Sequence, residues 1–160
     1  MGEETEQNPE MSGPAGKARA VYQEHVDFWQ KDPSPGSQEW QKRLAVITKT
    51  HGEENQAKTA KDLAKYNAEC GFSDPAVFFL ELSDADEKEK WQILAQSTER
   101  EAQKSAQSAE RQRKETAFIG PDRKEMIFDT DEETARSHEV KASELRKKAE
   151  VLRKGIDALT

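Results

Sequence analysis

The sequence has one cysteine, no long apolar run and few large apolar side chains. The lone Cys70 excludes an intramolecular disulfide and a zinc site built from the cysteines of one chain. No apolar stretch approaches the roughly 20 residues that cross a bilayer, and no charged leader precedes an apolar segment as in a secretory signal peptide. We therefore expect a cytoplasmic protein. Secretion without a signal peptide and packaging in a virion are left open.

Motifs for catalysis and metal binding are also missing. The three histidines, His25, His51 and His138, do not occur in the H-E-x-x-H or Glu-x-x-His spacings of metal-binding helices. The sequence has no glycine-rich phosphate loop and no nucleophile elbow. We expect no metal site, no cofactor and no enzymatic activity. An enzyme whose residues converge only in three dimensions stays an alternative.

The composition favours long, partly solvated helices. Apolar residues make up 33% of the chain and charged residues 36%, which is too little apolar surface for a large spherical core. The net charge is -7, with acidic residues in excess in the first hundred positions and the two signs nearly balanced afterwards. This distribution is unlike the basic surface of a dedicated nucleic-acid binder.

Helix start and stop signals divide the chain into three parts. We predict a disordered tail over 1–14, a helical bundle over 15–83 and a helical hairpin over 84–160. In the bundle, Gly71 ends one helix, and Ser73 is expected to cap a short apolar helix that follows it. The predicted helices span about 15–31, 37–50, 53–70, 76–82, 84–116 and 131–159. The predicted fold class is therefore all-α.

The last helix carries a seven-residue repeat typical of a coiled coil. Small and apolar residues and one histidine fall at alternating spacings of three and four, which are heptad positions a and d. The preceding helix carries a weaker seam of small residues. The C-terminal seam consists of Ala135, His138, Ala142, Leu145, Ala149, Leu152, Ile156 and Leu159. The preceding seam consists of Trp91, Ala95, Thr98, Ala102, Ser105 and Ala109.

The charges beside the C-terminal seam indicate its partner. Lys141, Arg146, Lys148 and Arg153 occupy the flanking e and g positions, so a parallel self-pair would place like charges together. Folding back on the preceding helix pairs opposite charges instead. A turn near residue 123 would set Glu99 and Glu101 beside Arg146 and Lys148, and Trp91 opposite Gly155. We therefore predict an antiparallel coiled-coil hairpin within the chain.

The tip of that hairpin is the strongest candidate for a binding site. Two apolar clusters flank Gly120-Pro121, and they are expected to form either a β-hairpin or an irregular loop over 118–128. A self-packed turn, a protein interface and membrane insertion are the alternatives, and charged residues 122–125 argue against deep insertion. The candidate partner-binding residues are Phe118, Ile119, Met126, Ile127, Phe128, Arg146, Lys148 and Arg153.

These features predict a non-enzymatic protein–protein interaction protein, such as an adaptor, assembly factor or chaperone-like subunit. The partner would be another protein, and self-association is left open because a two-helix arm leaves apolar edges uncovered. The second hypothesis is a nucleic-acid-associated helical protein that uses the basic stripe of the last helix. Interleaved glutamates and the absence of a nearby aromatic stacking surface make it the weaker one.

Overall fold

A computed structural model describes residues 13–31, 56–117 and 121–159, together with isolated helical positions between 38 and 49. Apart from short turns, these residues are helical, and no strand occurs among them. The predicted all-α fold class is confirmed. The five helices with defined bounds are α1 (Pro14–Lys31), α2 (Gln56–Glu69), α3 (Ser73–Leu82), α4 (Glu87–Ala117) and α5 (Pro121–Leu159). The predicted tail lies almost wholly outside the described residues.

The turns between the short helices follow the local sequence signals in part. Gly71 adopts a positive φ of 78° just after α2, as a left-handed helix stop requires. The expectation that Ser73 caps α3 is wrong, because the N-cap position is Phe72 and no side chain caps the helix. Ser73 is buried, and its hydroxyl hydrogen-bonds to other side chains instead. Asp86 caps α4 by accepting a hydrogen bond from the Glu89 amide at 2.8 Å.

The last helix begins about ten residues earlier than the sequence signals indicated. α5 starts at Pro121, so Met126, Ile127 and Phe128 lie within a helix rather than in a β-hairpin or an irregular loop. Proline is favoured at the first helical position because the missing N–H has no partner there in any case. Thr130 and Glu133 have the spacing of a capping box, but they do not start the helix, since both lie inside α5. Residues 118–120 are outside the described residues.

One apolar core draws on all five helices. α1 contributes Ala18 and Tyr22, and α5 contributes Leu152 and Ile156. These side chains lie in the same cluster as the apolar residues of the short helices, so the core spans the predicted boundary at residue 84. The other members are Ala64, Ala68, Ala76, Val77, Phe79, Leu80, Ala85, Trp91, Ile93, Leu94 and Ala95.

The two long helices bury most of the predicted seams. All six residues of the α4 seam are buried. On α5, Ala135, Ala142, Ala149, Leu152 and Ile156 are buried, His138 and Leu145 are partly buried, and Leu159 is exposed. Small side chains dominate the buried positions beyond the core, and they let two helices approach closely while burying little area.

Contacts between α4 and α5 include the predicted pair Trp91 and Gly155, but the charge pairs differ from the predicted ones. A Cβ built on Gly155 would lie 3.2 Å from the Trp91 ring, so these residues do meet. Glu99 accepts a hydrogen bond from Arg153 at 2.8 Å, and Glu101 lies 3.8 Å from Lys141. The predicted pairing of these glutamates with Arg146 and Lys148 is wrong by one heptad in each case.

Candidate functional site

The predicted partner-binding residues fall into two groups in the structure. Phe118 and Ile119 lie outside the described residues. Met126, Ile127 and Phe128 occupy the first turns of α5, where the backbone is described and the side chains are not. The three basic residues Arg146, Lys148 and Arg153 lie on the exposed part of α5, 18 or more positions further along. The binding role of both groups stays a prediction.

An arginine links α4 to α5 near the predicted tip. Arg113 donates hydrogen bonds to both carboxylate oxygens of Glu132, at 3.1 and 3.3 Å, and also contacts Glu139. The hydrogen bonds from Arg113 lower the pKa of Glu132 and of Glu139, and these acceptors in turn raise the pKa of the guanidinium. The two helices are therefore tied together by charge where the buried side chains are smallest.

Three basic residues along α5 are paired with carboxylates of other helices. Lys141 lies 3.8 Å from Glu101, and Lys148 lies 3.7 Å from Glu24 of α1. Arg153 donates to Glu99 at 2.8 Å. Each of these three positive groups thus has a carboxylate nearby, which reduces the uncompensated charge of the stripe.

A cleft of about 630 Å³ lies where α1, α3, α4 and α5 meet. On one wall, His25 Nδ1 lies 2.7 Å from the Asp74 carboxylate. Below it, the Ser73 hydroxyl lies 2.9 Å from the Ser97 hydroxyl and donates to Glu101 at 3.1 Å. Ser73 therefore directs its hydroxyl to groups other than the imidazole, and these residues do not form the hydrogen-bonded Ser–His pair of a nucleophilic enzyme.

The other charged side chains that line the cleft are two lysines and two glutamates, so their formal charges cancel. The walls include Lys141 and Lys148 together with Glu101 and Glu144. Phe72 stands at the mouth with about half of its surface exposed. Among the residues that the structure describes, no three histidine, cysteine, aspartate or glutamate side chains converge as metal ligands.

Helix α1 is attached by a set of polar contacts that the sequence did not reveal. The buried Tyr22 hydroxyl donates to Glu81 at 2.8 Å, and Lys90 donates to the same carboxylate at 2.8 Å. Burial, and then the hydrogen bond to Glu81, raise the pKa of Tyr22. Arg19 donates to Glu87 at 2.6 Å. These partners are far apart in the sequence, so spacing within one helix gives no sign of them.

The same helix makes a close contact with α5 at Gly155. A Cβ at this glycine would lie less than 3.0 Å from the Ala18 Cβ and 3.1 Å from the Pro14 carbonyl oxygen. The signal was present in the sequence, since Gly155 interrupts an otherwise regular helical repeat. The heptad register predicts only Trp91 beside this glycine, whereas α1 and Trp91 both approach it.

Comparisons with known proteins add no family. The chain matches no protein-family model, and searches against curated proteins and against solved structures find no significant similarity. In the part of the chain that the structure describes, no helix combines the length and apolar character that crossing a membrane requires.

Proposed function

We propose that the protein is a non-enzymatic protein–protein interaction protein, of the adaptor, assembly-factor or chaperone-like kind. In this proposal α4 and α5 form an antiparallel coiled-coil hairpin that projects from the helical core and presents residues 118–128 to a protein partner. The observation that carries the proposal is that, within the described parts of the chain, α4 and α5 pair with each other beyond the contact that α4 makes with the turn after α2.

In this proposal the arm leaves the body near Lys104. Its ammonium donates to the Cys70 carbonyl at 2.9 Å and lies 4.6 Å from the centre of the Phe72 ring, so it fastens α4 to the turn between α2 and α3. From Lys104 to Ala117 α4 continues for about 20 Å at the usual rise of 1.5 Å per residue. A segment of this length would hold the candidate tip away from the core.

The two helices of the arm pair through small buried side chains and through charges. Beyond the core, the side chains buried between the helices are small, including Ala102, Ala109 and Ala135. Such a layer contributes little hydrophobic stabilisation, and the contacts of Arg113 with Glu132 and Glu139 tie the far end. A charge-tied arm with a small-residue seam suits a role in positioning a contact surface better than one in enclosing a substrate.

The paired basic stripe favours a protein partner over nucleic acid. Affinity for nucleic acid comes largely from cations that replace the counterions of phosphates. Lys141, Lys148 and Arg153 already have carboxylates within 4.0 Å, which oppose the approach of a phosphate. The net charge of -7 acts in the same direction.

Partner capture with a variant of the tip tests the proposal. The triple variant Phe118→Ser, Ile127→Ser and Phe128→Ser should lose the captured protein while its thermal unfolding temperature stays near that of the wild type. Affinity capture from the native source, followed by mass spectrometry, identifies the partner. Val140→Ser is the matched control, because Val140 is an apolar residue of α5 with 57% of its surface exposed.

Two outcomes would count against the proposal. Undiminished capture by the triple variant would eliminate the tip as the contact site. Capture that disappears after nuclease treatment, or that falls steeply as the salt rises, would favour the nucleic-acid alternative. Light scattering on the purified protein would settle whether copies of the chain associate.

A further inference from the structure

The cleft between α1, α3, α4 and α5 is large enough to hold a small molecule. Its volume of about 630 Å³ lies within the range of roughly 300 to 1,000 Å³ that small-molecule sites occupy. Phe72 stands at its mouth with 49% of its surface exposed, and Pro75 and the partly buried Leu145 also line it. The cleft therefore offers both room and apolar surface to a ligand.

On the walls formed by α1, α3 and α4, several polar groups are already engaged with one another. The Ser73 hydroxyl donates to Glu101 at 3.1 Å and lies 2.9 Å from the Ser97 hydroxyl. His25 Nδ1 lies 2.7 Å from the Asp74 carboxylate. All three distances are those of hydrogen bonds, so these groups need no ligand to satisfy them.

The wall formed by α5 differs because its charged groups are only partly satisfied. Lys141, Glu144 and Lys148 line the cleft. Lys148 approaches Glu24 at 3.7 Å and Lys141 approaches a carboxylate of α4 at 3.8 Å, which is beyond the usual hydrogen-bond distance of about 2.7 to 3.2 Å. Within the described parts of the chain, the Glu144 side chain forms no ion pair and accepts no hydrogen bond. The wall therefore presents an unpaired anion between two cations that can still donate.

Of the two lysines, Lys148 is the more available to a ligand. Both side chains of its pair with Glu24 are exposed, at 46% and 65%, and such a pair is weak because water screens it. Lys141 lies beside Glu101, whose side chain is 28% exposed and accepts a hydrogen bond from Ser73. Exchanging Glu24 for the carboxylate of a ligand therefore costs Lys148 little.

The spacing of the charges on α5 indicates the size of a complementary ligand. Glu144 and Lys148 are four positions apart, which is about 6 Å along a helix that rises 1.5 Å per residue. An extended peptide advances about 3.3 to 3.6 Å per residue, so two residues span about 7 Å. A dipeptide with free ends thus carries an ammonium group and a carboxylate at a separation close to that of the two side chains.

We propose that the cleft binds a short peptide of two apolar residues with free ends. Its ammonium group binds the Glu144 carboxylate, and its carboxylate binds the Lys148 ammonium group. Its side chains contact Phe72, Pro75 and Leu145. Such a ligand is a zwitterion without net charge, which suits a lining whose two lysines and two glutamates cancel in formal charge. The site is separate from the tip of the arm and does not depend on the proposed function.

Titration of the isotope-labelled, full-length chain with L-leucyl-L-phenylalanine, followed by NMR, tests the proposal. The amide signals of Gly71 and Thr98, which line the cleft, should shift and reach saturation. Acetylation of the peptide removes its ammonium group, and amidation removes its carboxylate. Each modified peptide should bind at least about tenfold more weakly, because each loses a charge-assisted hydrogen bond.

Two variants assign the ends of the peptide. Glu144→Gln should weaken binding of the free peptide about tenfold but leave binding of the acetylated peptide unchanged, because that peptide already lacks the partner of Glu144. Lys148→Met should have the corresponding effect on the free and the amidated peptide. Glu150→Gln and Lys147→Met are the matched controls, because both residues are exposed on α5 and lie outside the lining of the cleft. All four positions are exposed, so every variant should unfold near the temperature of the wild type.

Three results would overturn the proposal. Equal affinity for the free, acetylated and amidated peptides would show that the charged ends are not recognised. Equal effects of Glu144→Gln and Glu150→Gln, or of Lys148→Met and Lys147→Met, would place the ligand elsewhere. Binding of L-phenylalanine as tightly as the dipeptide, or no saturable shift with any of these probes, would refute the match in length.

Discussion

Substitution of Gly155 by alanine makes the strongest prediction, because two effects of opposite sign compete. In the interior of a helix, replacing glycine by alanine stabilises the helix by about 1 kcal/mol through backbone entropy. At Gly155 the new methyl group would meet the Ala18 Cβ at less than 3.0 Å, the Pro14 carbonyl oxygen at 3.1 Å and the Trp91 ring at 3.2 Å. None of these three atoms is the free end of a flexible side chain, so the overlap can be relieved only by moving α1 or Trp91.

Overpacking of this kind costs about 1 to 3 kcal/mol. We expect the overlap to outweigh the gain, so that Gly155→Ala lowers the free energy of unfolding by up to about 2 kcal/mol. Urea denaturation followed by circular dichroism measures this change. The difference between Ser143→Gly and Ser143→Ala, at an exposed position of α5, gives the propensity effect without any overlap.

A compensating change sharpens the test. Ala18→Gly combined with Gly155→Ala moves the missing side chain from one helix to the other, so the double variant should be more stable than the sum of the single changes by about 1 kcal/mol or more. If Gly155→Ala alone were to stabilise the protein as much as the Ser143 pair predicts, the close contact between α1 and α5 would be refuted.

Two further predictions concern the turn after α2 and the buried tyrosine. Gly71→Ala should cost about 1 to 2 kcal/mol in urea denaturation, because alanine disfavours a positive φ, while Gly71→Asn should cost less; equal stability of all three proteins would contradict a left-handed turn. The pKa of Tyr22 is raised in the folded protein, so its contribution to stability is complete below about pH 10 and is lost as the pH rises further and the unfolded chain ionises. The wild type should therefore lose stability above pH 10 faster than Tyr22→Phe, by about 1.4 kcal/mol per pH unit, and parallel pH profiles would rule this out.

The heptad pattern predicted which faces of the long helices are buried, because burial of a helix face follows directly from a 3.5-residue spacing. It predicted the contact of Trp91 with Gly155 for the same reason. The pattern placed Glu99 and Glu101 on the correct edges of α5, since both predicted and observed partners occupy the same e or g positions. The pattern could not predict which heptad of α5 supplies the basic partner of each glutamate, because long charged side chains can pair with residues in more than one heptad.

The contacts of α1 could not be predicted from the sequence, for a different reason. Its partners Glu81, Glu87 and Lys148 belong to three different helices, and no local periodicity relates them to Tyr22, Arg19 and Glu24 of α1. The sequence signals place the start of α5 about ten residues too late, because Gly120-Pro121 indicates the end of a helix as readily as the start of one. Proline equally suits the first turn of a helix, so the same residue that ends one helix begins the next.

The contact of α1 with Gly155 joins segments that are synthesised far apart in time. Ala18 and Gly155 are 137 positions apart in the sequence, which at about 5 to 20 residues per second corresponds to roughly 7 to 27 s of translation. For most of that interval α1 has been synthesised while the end of α5 that contacts it does not yet exist. The nascent chain must therefore carry the part of α1 that packs on Gly155, including Ala18, without that contact until the end of α5 emerges.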